Sequence, residues 1–516
     1  MYSPAGGFTH SELNIFPLRK SLRGIVFLHL TLSFLPEGLP VTTLFDLEVC
    51  RRLPLADATL KLLRYVLDGE FLAGVFTRHR GRTYEKAIAF PTIVRLITDA
   101  LFGHRGSAHQ NFKKSQEDET LDASIPAVYA KLRRMPLPLS LGLFAEAAAR
   151  LRQVAPLAVA NPLPASLGEF WCLTIDGKKI KYVAKKLGVL RGLKGNVLGG
   201  KMLCAQDMAT QEAIAVEAVA DGEAADNPLV PGLIARVRAL GDSRPRLWVA
   251  DRAFCDYKCL GLFCQGGDHC VVRYQSSFGF HLDSSVPVRE GLDDIGRPYT
   301  DETGWLGTGP DRVRVRKITA ERDGKPFVVV TSLLDGDRYP AAEILTLYRS
   351  RWGIESMYQV VVETFDLREL IGSTPEATTF QAMLCLLIYN ITLTIRHFVA
   401  AGAEVPPAEV SLDLLFDDVR RDLTGCLEVL GAEATTELFE TTHIDDPKTL
   451  AEYLAAILMY IWTDRWKKAQ MRKQPPKTTK GYLKGGHSSV FKIQRGLHTV
   501  MPPKKSKPKA EAGKSQ

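Results

Sequence analysis

Three acidic residues stand where their carboxylates could act together on a metal ion. Asp176 ends the apolar run W-C-L-T-I, Asp251 ends the run L-W-V-A, and Glu355 lies on a predicted helix far downstream. Polar side chains converge at strand ends in an α/β sheet, so the two aspartates could be neighbours there. Three carboxylates raise one another's pKa unless a counter-charge joins them, and Mg²⁺ or Mn²⁺ accepts carboxylate oxygen readily. Two such ions about 3.5–4 Å apart stabilise the attacking and leaving oxygens when a phosphodiester is displaced, although an aspartate after a strand is also a common turn or helix cap.

A polar stripe on the same predicted helix adds a second group of side chains. Tyr348, Arg351 and Glu355 lie at i, i+3 and i+7 of a long helical stretch, residues 341–362, so they should project from one face. Arg351 could grip a phosphate beside the metal with its forked donors, with Tyr348 hydrogen-bonding the same group. The alternative is a surface stripe with an Arg351–Glu355 ion pair worth only about 0.3–0.5 kcal/mol.

The surrounding pattern predicts the elements that must hold these residues. Short apolar runs, turns and a helix at 165–270 indicate an α/β fold, and alternating residues at 271–334 indicate a β-rich segment. In that segment Arg314 and Arg316 alternate with valine on one strand face, where they could meet a phosphate or water. The predicted division is a helical N-terminal region whose basic residues could track DNA phosphates (1–155), an α/β segment (165–270), the β-rich segment (271–334), a further segment that is mainly helical (335–400), a C-terminal helical region (401–464) and a basic, partly disordered tail (465–516).

Positive charge is concentrated at the end of the chain. The 516 residues carry a net charge of +8. Residues 465–516 hold fifteen Lys and Arg against the single acid Glu511, or +14, so the rest of the chain carries −6, the difference between +8 and +14. A segment rich in Lys, Pro and Gly cannot bury a core, and polyanions are its natural partner. It could bind nucleic acid or simply keep the protein soluble.

The apolar runs do not predict a membrane protein. The longest, residues 24–35 and 383–395, are too short to span a bilayer, and the second contains Asn390, so both are expected to be buried helices. No leader pattern opens the chain, and nine cysteines fit reduced thiols better than a disulfide framework. The expected location is the cytoplasm.

The motifs around the three acids resemble those of the cut-and-paste DDE transposases of the insertion sequence four group. The signature of that group is Tyr, two residues, Arg, three residues, Glu, six residues, Lys, and its first three positions match Tyr348, Arg351 and Glu355. T-I-D-G-K around Asp176 and V-A-D-R-A-F around Asp251 are similar to the group's two aspartate blocks. The lysine position is occupied by Val362, so that DNA contact is missing or supplied elsewhere. The resemblance covers residues 171–399.

The resemblance implies an RNase H-like catalytic core interrupted by the β-rich insertion. It implies that Asp176, Asp251 and Glu355 bind two Mg²⁺ (or Mn²⁺) ions, with Tyr348 and Arg351 on the DNA. Trp305 in the insertion could stack on a flipped base, or it could pack against its own domain. The expected partners are double-stranded DNA, both terminal inverted repeats and target, and a second copy of the chain.

The implied activity is cleavage at the ends of a mobile element and strand transfer into target DNA. Two alternatives share the fold: a catalytically inactive DNA-binding descendant, which Val362 and the basic tail favour slightly, and a simple metal-dependent nuclease. Intact Asp176, Asp251 and Glu355 argue against the first. Inverted repeats flanking the gene, with a duplicated target sequence outside them, would distinguish the transposase from the nuclease.

Overall fold

The described residues contain a ten-stranded mixed sheet. A computed structural model describes residues 48, 51–83, 85, 88–103, 108–154, 161–181, 198–309, 312–322, 324–364, 371–430 and 443–468, together with two short strands near the C-terminus. Nine strands follow the order β3-β2-β1-β4-β5-β10-β9-β8-β6, and β7 pairs with β8. The strands are β1 (Trp171–Lys179), β2 (Lys201–Asp207), β3 (Ala213–Val219), β4 (Arg246–Ala250), β5 (His269–Arg273), β6 (Phe280–Leu282), β7 (Arg289–Leu292), β8 (Pro298–Leu306), β9 (Val313–Arg322) and β10 (Lys325–Thr331).

The first three strands form an antiparallel meander, whereas β1, β4 and β5 are parallel to one another. Strands β6 to β10 lie within residues 271–334, and they continue the same sheet because β10 pairs with β5. The predicted boundary at residue 271 falls inside β5. One expectation is corrected: the strand does not end in a turn at Asp176, since β2 pairs with β1 as far as Lys179.

The chain divides into two compact units, of which the first spans residues 1–467. The described parts of this first unit contain thirteen α-helices longer than six residues. Six precede the sheet: α1 (Pro54–Leu67), α2 (Gly69–His79), α3 (Phe90–Gly103), α4 (Ala108–Glu117), α5 (Ile125–Leu132) and α6 (Leu137–Arg152). Two lie between strands, α7 (Val230–Arg238) and α8 (Tyr257–Phe263). Five follow the sheet: α9 (Ala341–Ser350), α10 (Trp352–Glu363), α11 (Pro375–Gly402), α12 (Leu412–Leu430) and α13 (Pro447–Leu458).

The two faces of the sheet bury different sets of side chains. Leu173 and Ile175 of β1 pack with α7 and α8 on one face. Cys172, the alternate residue, packs with α9 on the other face, where α10 and α11 cover β2 and β3. Because side chains alternate along a strand, Asp176 belongs to the face covered by α9 and α10.

The first helices and the last ones share one hydrophobic core. Buried residues of α1 to α6 cluster with those of α10 to α13. Across this core the hydroxyl of Tyr453 on α13 donates to the Asp57 carboxylate on α1, with an Oη–Oδ2 distance of 2.5 Å. The expected boundary at residue 155 therefore separates two stretches of sequence, not two hydrophobic cores.

Helix α11 is the apolar helix predicted from residues 383–395. It is long and apolar enough to cross a membrane, but its most apolar window is entirely buried. Asn390 in its middle serves the sheet: its amide donates to the Ala213 carbonyl at 2.7 Å and accepts from the Ala213 N–H at 3.0 Å. A polar residue in this apolar helix therefore satisfies backbone groups of the strand β3, which ends the sheet.

The long helix predicted for residues 341–362 is two helices. The chain turns at Arg351, whose N–H bonds to Tyr348 O, three residues back, and not to the carbonyl four back. The break has a packing reason. Helix α9 buries Tyr348 over β1, β4 and β5, whereas α10 buries Ile354 and Tyr358 in the core over β2 and β3.

The connection from β10 to α9 is held by Arg316, which was expected on an open strand face. Arg316 is buried and binds Asp301, with an Nη2–Oδ2 distance of 2.5 Å. Its other terminal nitrogen donates to the carbonyls of Leu333 at 3.0 Å and Tyr339 at 2.8 Å. This arginine therefore has a structural role and is not available to a phosphate.

Residues 468–516 form a second unit. Tyr482–Leu483 and Val500–Met501 pair there as two short antiparallel strands, β11 and β12. The rest of the basic tail predicted from residue 465 lies outside the described residues, apart from 465–468.

Candidate active site

Two of the three predicted carboxylates are brought together by strand register. Strand β1 pairs with β4 in parallel, with Thr174 opposite Val249. The same offset places Asp176 beside Asp251, which directly follows β4. Both side chains fall on the face covered by α9, since Cys172 and Val249 pack there.

Asp176 and Asp251 form a row across adjacent strands, and a basic residue on the next strand, β5, extends that row. Strand β4 pairs with β5 in parallel, with Ala250 opposite Val272, and continuing this register sets Arg273 of β5 beside Asp251, which follows β4. Arg273 is exposed, and its guanidinium lies 5.3 Å from the ring of Phe327. Sequence reasoning missed Arg273, although it closes the apolar run H-C-V-V as the two aspartates close theirs.

Glu355 approaches the aspartates from the first turn of α10. It is close enough to Asp176 for its charge to raise the pKa of that carboxyl. Glu355 is paired with Arg351, with an Nη2–Oε1 distance of 2.5 Å. The ion pair considered as the alternative in the sequence is therefore present, and it is partly buried and not on the open surface, because the Arg351 side chain is only 12% exposed.

Tyr348 and Arg351 occupy the end of α9 and the break after it. Tyr348 is buried against Phe327, with ring centroids 5.5 Å apart, and the Arg351 guanidinium lies 5.9 Å from its ring. Burial raises the pKa of Tyr348 to about 12. The expected single stripe on one helix is corrected, since Tyr348 and Glu355 lie on different helices with Arg351 between them.

A tyrosine that the sequence did not single out connects α10 to β1. Tyr358, one turn after Glu355, is buried, and its hydroxyl donates to the backbone carbonyl of Asp176 at 2.8 Å. The helix that carries the third carboxylate is thus hydrogen-bonded to the residue that carries the first. The only sequence signal was its spacing of i+3 from Glu355.

Gly177, next to Asp176 on β1, packs directly against the ion pair of Lys201 and Asp226. A Cβ on Gly177 would lie 1.8 Å from Oδ1 of Asp226. That carboxylate is bound by the buried Lys201, with an Nζ–Oδ1 distance of 2.9 Å. Any side chain at 177 would have to displace this pair, which explains the glycine directly after Asp176.

The electrostatics of the site suit a hard cation. Burial and the charge of Asp251 raise the pKa of Asp176 to about 6, and Arg351 offsets part of that rise. The negative charge of the carboxylates is therefore only partly balanced by Arg351. Carboxylate oxygens are also the ligands that Mg²⁺ and Mn²⁺ prefer. Among the described residues, no three His, Cys, Asp or Glu side chains already surround a common metal position. Glu355 is engaged by Arg351 instead.

Trp305 lies in strand β8 of the β-rich segment. It faces Arg314 on β9 across the ladder. The Arg312 guanidinium lies 4.1 Å from its ring centroid, and that of Arg314 lies 5.6 Å away. The indole is partly exposed and carries two cations, so it combines an aromatic surface with positive charge.

The known proteins that are similar to this chain point to one family. Residues 176–391 match a family described as "Transposase DDE domain". The chain is 26% identical over 196 residues to the transposase InsG for insertion sequence element IS4 of Escherichia coli, covering 37% of this chain and 42% of the relative. It is 23% identical over 148 residues to y4zB of Sinorhizobium fredii, whose name assigns it as a transposase, covering 28% and 41% of the two chains.

The chain therefore carries a DDE transposase domain, and the resemblance to the insertion sequence four group is confirmed. The matches span about two fifths of the length of these relatives. Among solved structures, the piggyBac transposase synaptic complex with hairpin DNA aligns with a TM-score of 0.38 at 12% identity, over 75% of this chain and 86% of that one.

Proposed function

We propose that this protein is a transposase that cleaves DNA at the ends of a mobile element and joins the freed ends to target DNA. The observation that carries the proposal is the row formed by Asp176 and Asp251 at adjacent parallel strands, with Glu355 held over it by α10. Carboxylates in this arrangement fit phosphodiester displacement assisted by two metal ions.

We propose an RNase H-like core made of β1 to β5 and the helices around them. The strand order β3-β2-β1-β4-β5, with an antiparallel meander followed by two parallel strands, supports this assignment. The inserted segment is then best defined as the chain after β5, from residue 274 to 334. The helical region up to residue 155 remains the proposed DNA-binding part.

Asp176, Asp251 and Glu355 are the proposed metal ligands. Bound divalent ions would activate the attacking oxygen and neutralise charge at the phosphorus. For Glu355 to join them, its contact with Arg351 must open. Arg351 would then be free to donate its forked N–H groups to the phosphate being cut, with Tyr348 beside it. Arg273, in the same row, would bind a neighbouring phosphate.

DNA outside the catalytic centre is proposed to reach the β-rich segment. Trp305, with Arg312 and Arg314 against it, offers a surface on which an unpaired base could stack. A homodimer is proposed because two element ends must be brought together, and the cytoplasm is the proposed location.

Isosteric replacement of the carboxylates tests the function. Duplexes carrying the DNA that flanks the coding sequence are incubated with wild-type protein and with Asp176→Asn, Asp251→Asn or Glu355→Gln in Mg²⁺, and nicked and joined products are separated on gels. Each variant should lose cleavage while retaining DNA binding, because these groups organise ions rather than the protein–DNA contact surface.

Asp242→Asn is the matched control. Asp242 precedes β4, at the end opposite Asp251, where it binds Arg244 at 2.7 Å. Near-normal turnover by any site variant would remove that residue from the metal site. A wild-type protein that binds DNA without cutting it would instead indicate the inactive descendant, and cleavage without joining would indicate a nuclease.

A further inference from the structure

Lys178 occupies an unusual place beside the carboxylates. It lies two residues after Asp176 on β1, so alternation puts both side chains on the same face, whereas Lys179 points to the other face and is exposed. Lys178 is half-buried, and its ammonium lies 5.2 Å from the ring centroid of Tyr358 on α10. It is close enough to interact electrostatically with Asp176 and Glu355.

This cation makes no ion pair within the described part of the chain. The contrast is Lys201 on the neighbouring strand, which is buried and bound to Asp226 at 2.9 Å. The half-buried ammonium of Lys178 therefore has its hydrogen-bond donors available to an anionic ligand. A phosphate next to the metal-binding carboxylates would supply the missing acceptor.

The Lys178 ammonium lies close to the place on helix α10 that a lysine at position 362 would reach. Glu355, Tyr358 and Val362 lie at i, i+3 and i+7, on one side of the helix. Side chains on a helix lean towards its N-terminus, so a lysine at 362 would extend back over the turn that contains Tyr358, about 6 Å along the axis. Val362 instead packs against the hydrophobic core. The ammonium found beside Tyr358 comes from the strand.

We propose that Lys178 binds a DNA phosphate at the catalytic centre, supplying from β1 the cation that residue 362 does not provide. This inference rests on the proposed function, because it places a scissile-strand phosphate beside Asp176. The ammonium would donate to a non-bridging phosphate oxygen, and its attraction for the strand would hold the backbone against the carboxylate row.

Charge removal and charge relocation test the proposal together. Lys178→Met keeps the aliphatic stem on Tyr358 but removes the charge, and Lys179→Met removes the same charge one residue away on the opposite face. A third protein combines Lys178→Met with Val362→Lys. Cleavage of the flanking-sequence duplex is measured in Mg²⁺, and binding of the same duplex is measured in Ca²⁺ across a salt series, with thermal unfolding as a check on the fold.

Lys178→Met should slow cleavage roughly tenfold or more, the loss expected for one charge-assisted hydrogen bond, and should make the salt slope shallower by about 0.9, the contribution of one phosphate contact. Lys179→Met should cleave like wild type. Val362→Lys should restore both cleavage and slope in the Lys178→Met background.

Equal cleavage by the two methionine variants would overturn the proposal, as would slower cleavage with an unchanged salt slope and a lower unfolding temperature, which would mark Lys178 as structural. Failure of Val362→Lys to restore cleavage in the Lys178→Met background would overturn the inference that Lys178 supplies the cation that residue 362 does not provide. If wild-type protein does not cleave at all, the proposed function fails, and the salt slope alone then decides whether Lys178 contacts phosphate.

Discussion

Replacing Tyr358 with phenylalanine should separate the geometry of the catalytic centre from the stability of the fold. The change removes one oxygen of a buried side chain, whose partly buried hydrogen bond to the Asp176 carbonyl is 2.8 Å long. A buried polar group left without its partner costs about 1–3 kcal/mol. Because the bond joins α10 to β1, its loss should also let Glu355 shift relative to Asp176. A misplacement of about 1 Å can cost on the order of 100-fold in rate.

A second tyrosine provides the control. Tyr389 on α11 is also buried, and its hydroxyl donates to the Gln211 carbonyl at 3.1 Å. Gln211 lies in the turn between β2 and β3, beyond the end of β1 opposite Asp176, because Asp207 pairs with Leu173. Tyr389→Phe should therefore lose a similar free energy of unfolding without losing activity.

The two variants are compared by urea unfolding and by the rate of Mg²⁺-dependent DNA cleavage under conditions where both are folded. We expect Tyr358→Phe to cleave roughly 10- to 100-fold more slowly than Tyr389→Phe at comparable stability. If the two cleave at the same rate, the contact between Tyr358 and Asp176 does not position the catalytic groups, and the coupling of α10 to β1 is only structural.

Three further results are expected. Arg351→Lys keeps the charge beside Glu355 but loses the forked geometry, so strand transfer should fall with little change in the unfolding temperature; wild-type activity would exclude a bidentate phosphate contact. Asn390→Leu leaves both backbone groups of Ala213 unsatisfied and should cost about 2–4 kcal/mol of unfolding free energy in urea titrations, with normal cleavage by the folded fraction. A chain ending at Lys467 should bind all DNA sequences more weakly with a shallower salt slope, about 0.9 per lost phosphate contact, while keeping its preference for element ends; selective loss of end binding would place recognition in residues 468–516.

The positions of the two aspartates could be predicted because the signal is local. An apolar run that stops at a carboxylate marks both a buried strand and the place where its side chains become accessible, and this holds for Asp176 and Asp251. The apolar periodicity of α11 was local in the same way, because it reports the burial of the helix's own residues. The alternation in β9 predicted the strand but not its burial, since Arg316, expected on an open face, is buried against Asp301.

Contacts between elements were not predictable from such patterns. The parallel register that sets Asp251 beside both Asp176 and Arg273 joins segments far apart in sequence. The break at Arg351 escaped notice because its dihedral angles, φ −52° and ψ −29°, remain helical, so no glycine or proline was needed to mark it. What divides the helix is tertiary packing, since Tyr348 and Tyr358 enter different hydrophobic clusters.

The continuity of the sheet explains how a long β-rich segment can separate Asp251 from Glu355 without disturbing the site. The segment leaves from β5 and returns on β10, which pairs with β5 itself, so its two ends are fixed next to each other. Arg316 then clamps the chain between Leu333 and Tyr339 at the entrance to α9. The path from β10 through α9 and the turn at Arg351 to Glu355 therefore depends on β9 and β10, and also on two ion pairs with the outer strands: Arg316 with Asp301 of β8, and Arg349 of α9 with Asp293 after β7. The other surface residues of β6 to β8, with Trp305 among them, can change for DNA while the carboxylates stay where β1, β4 and α10 hold them.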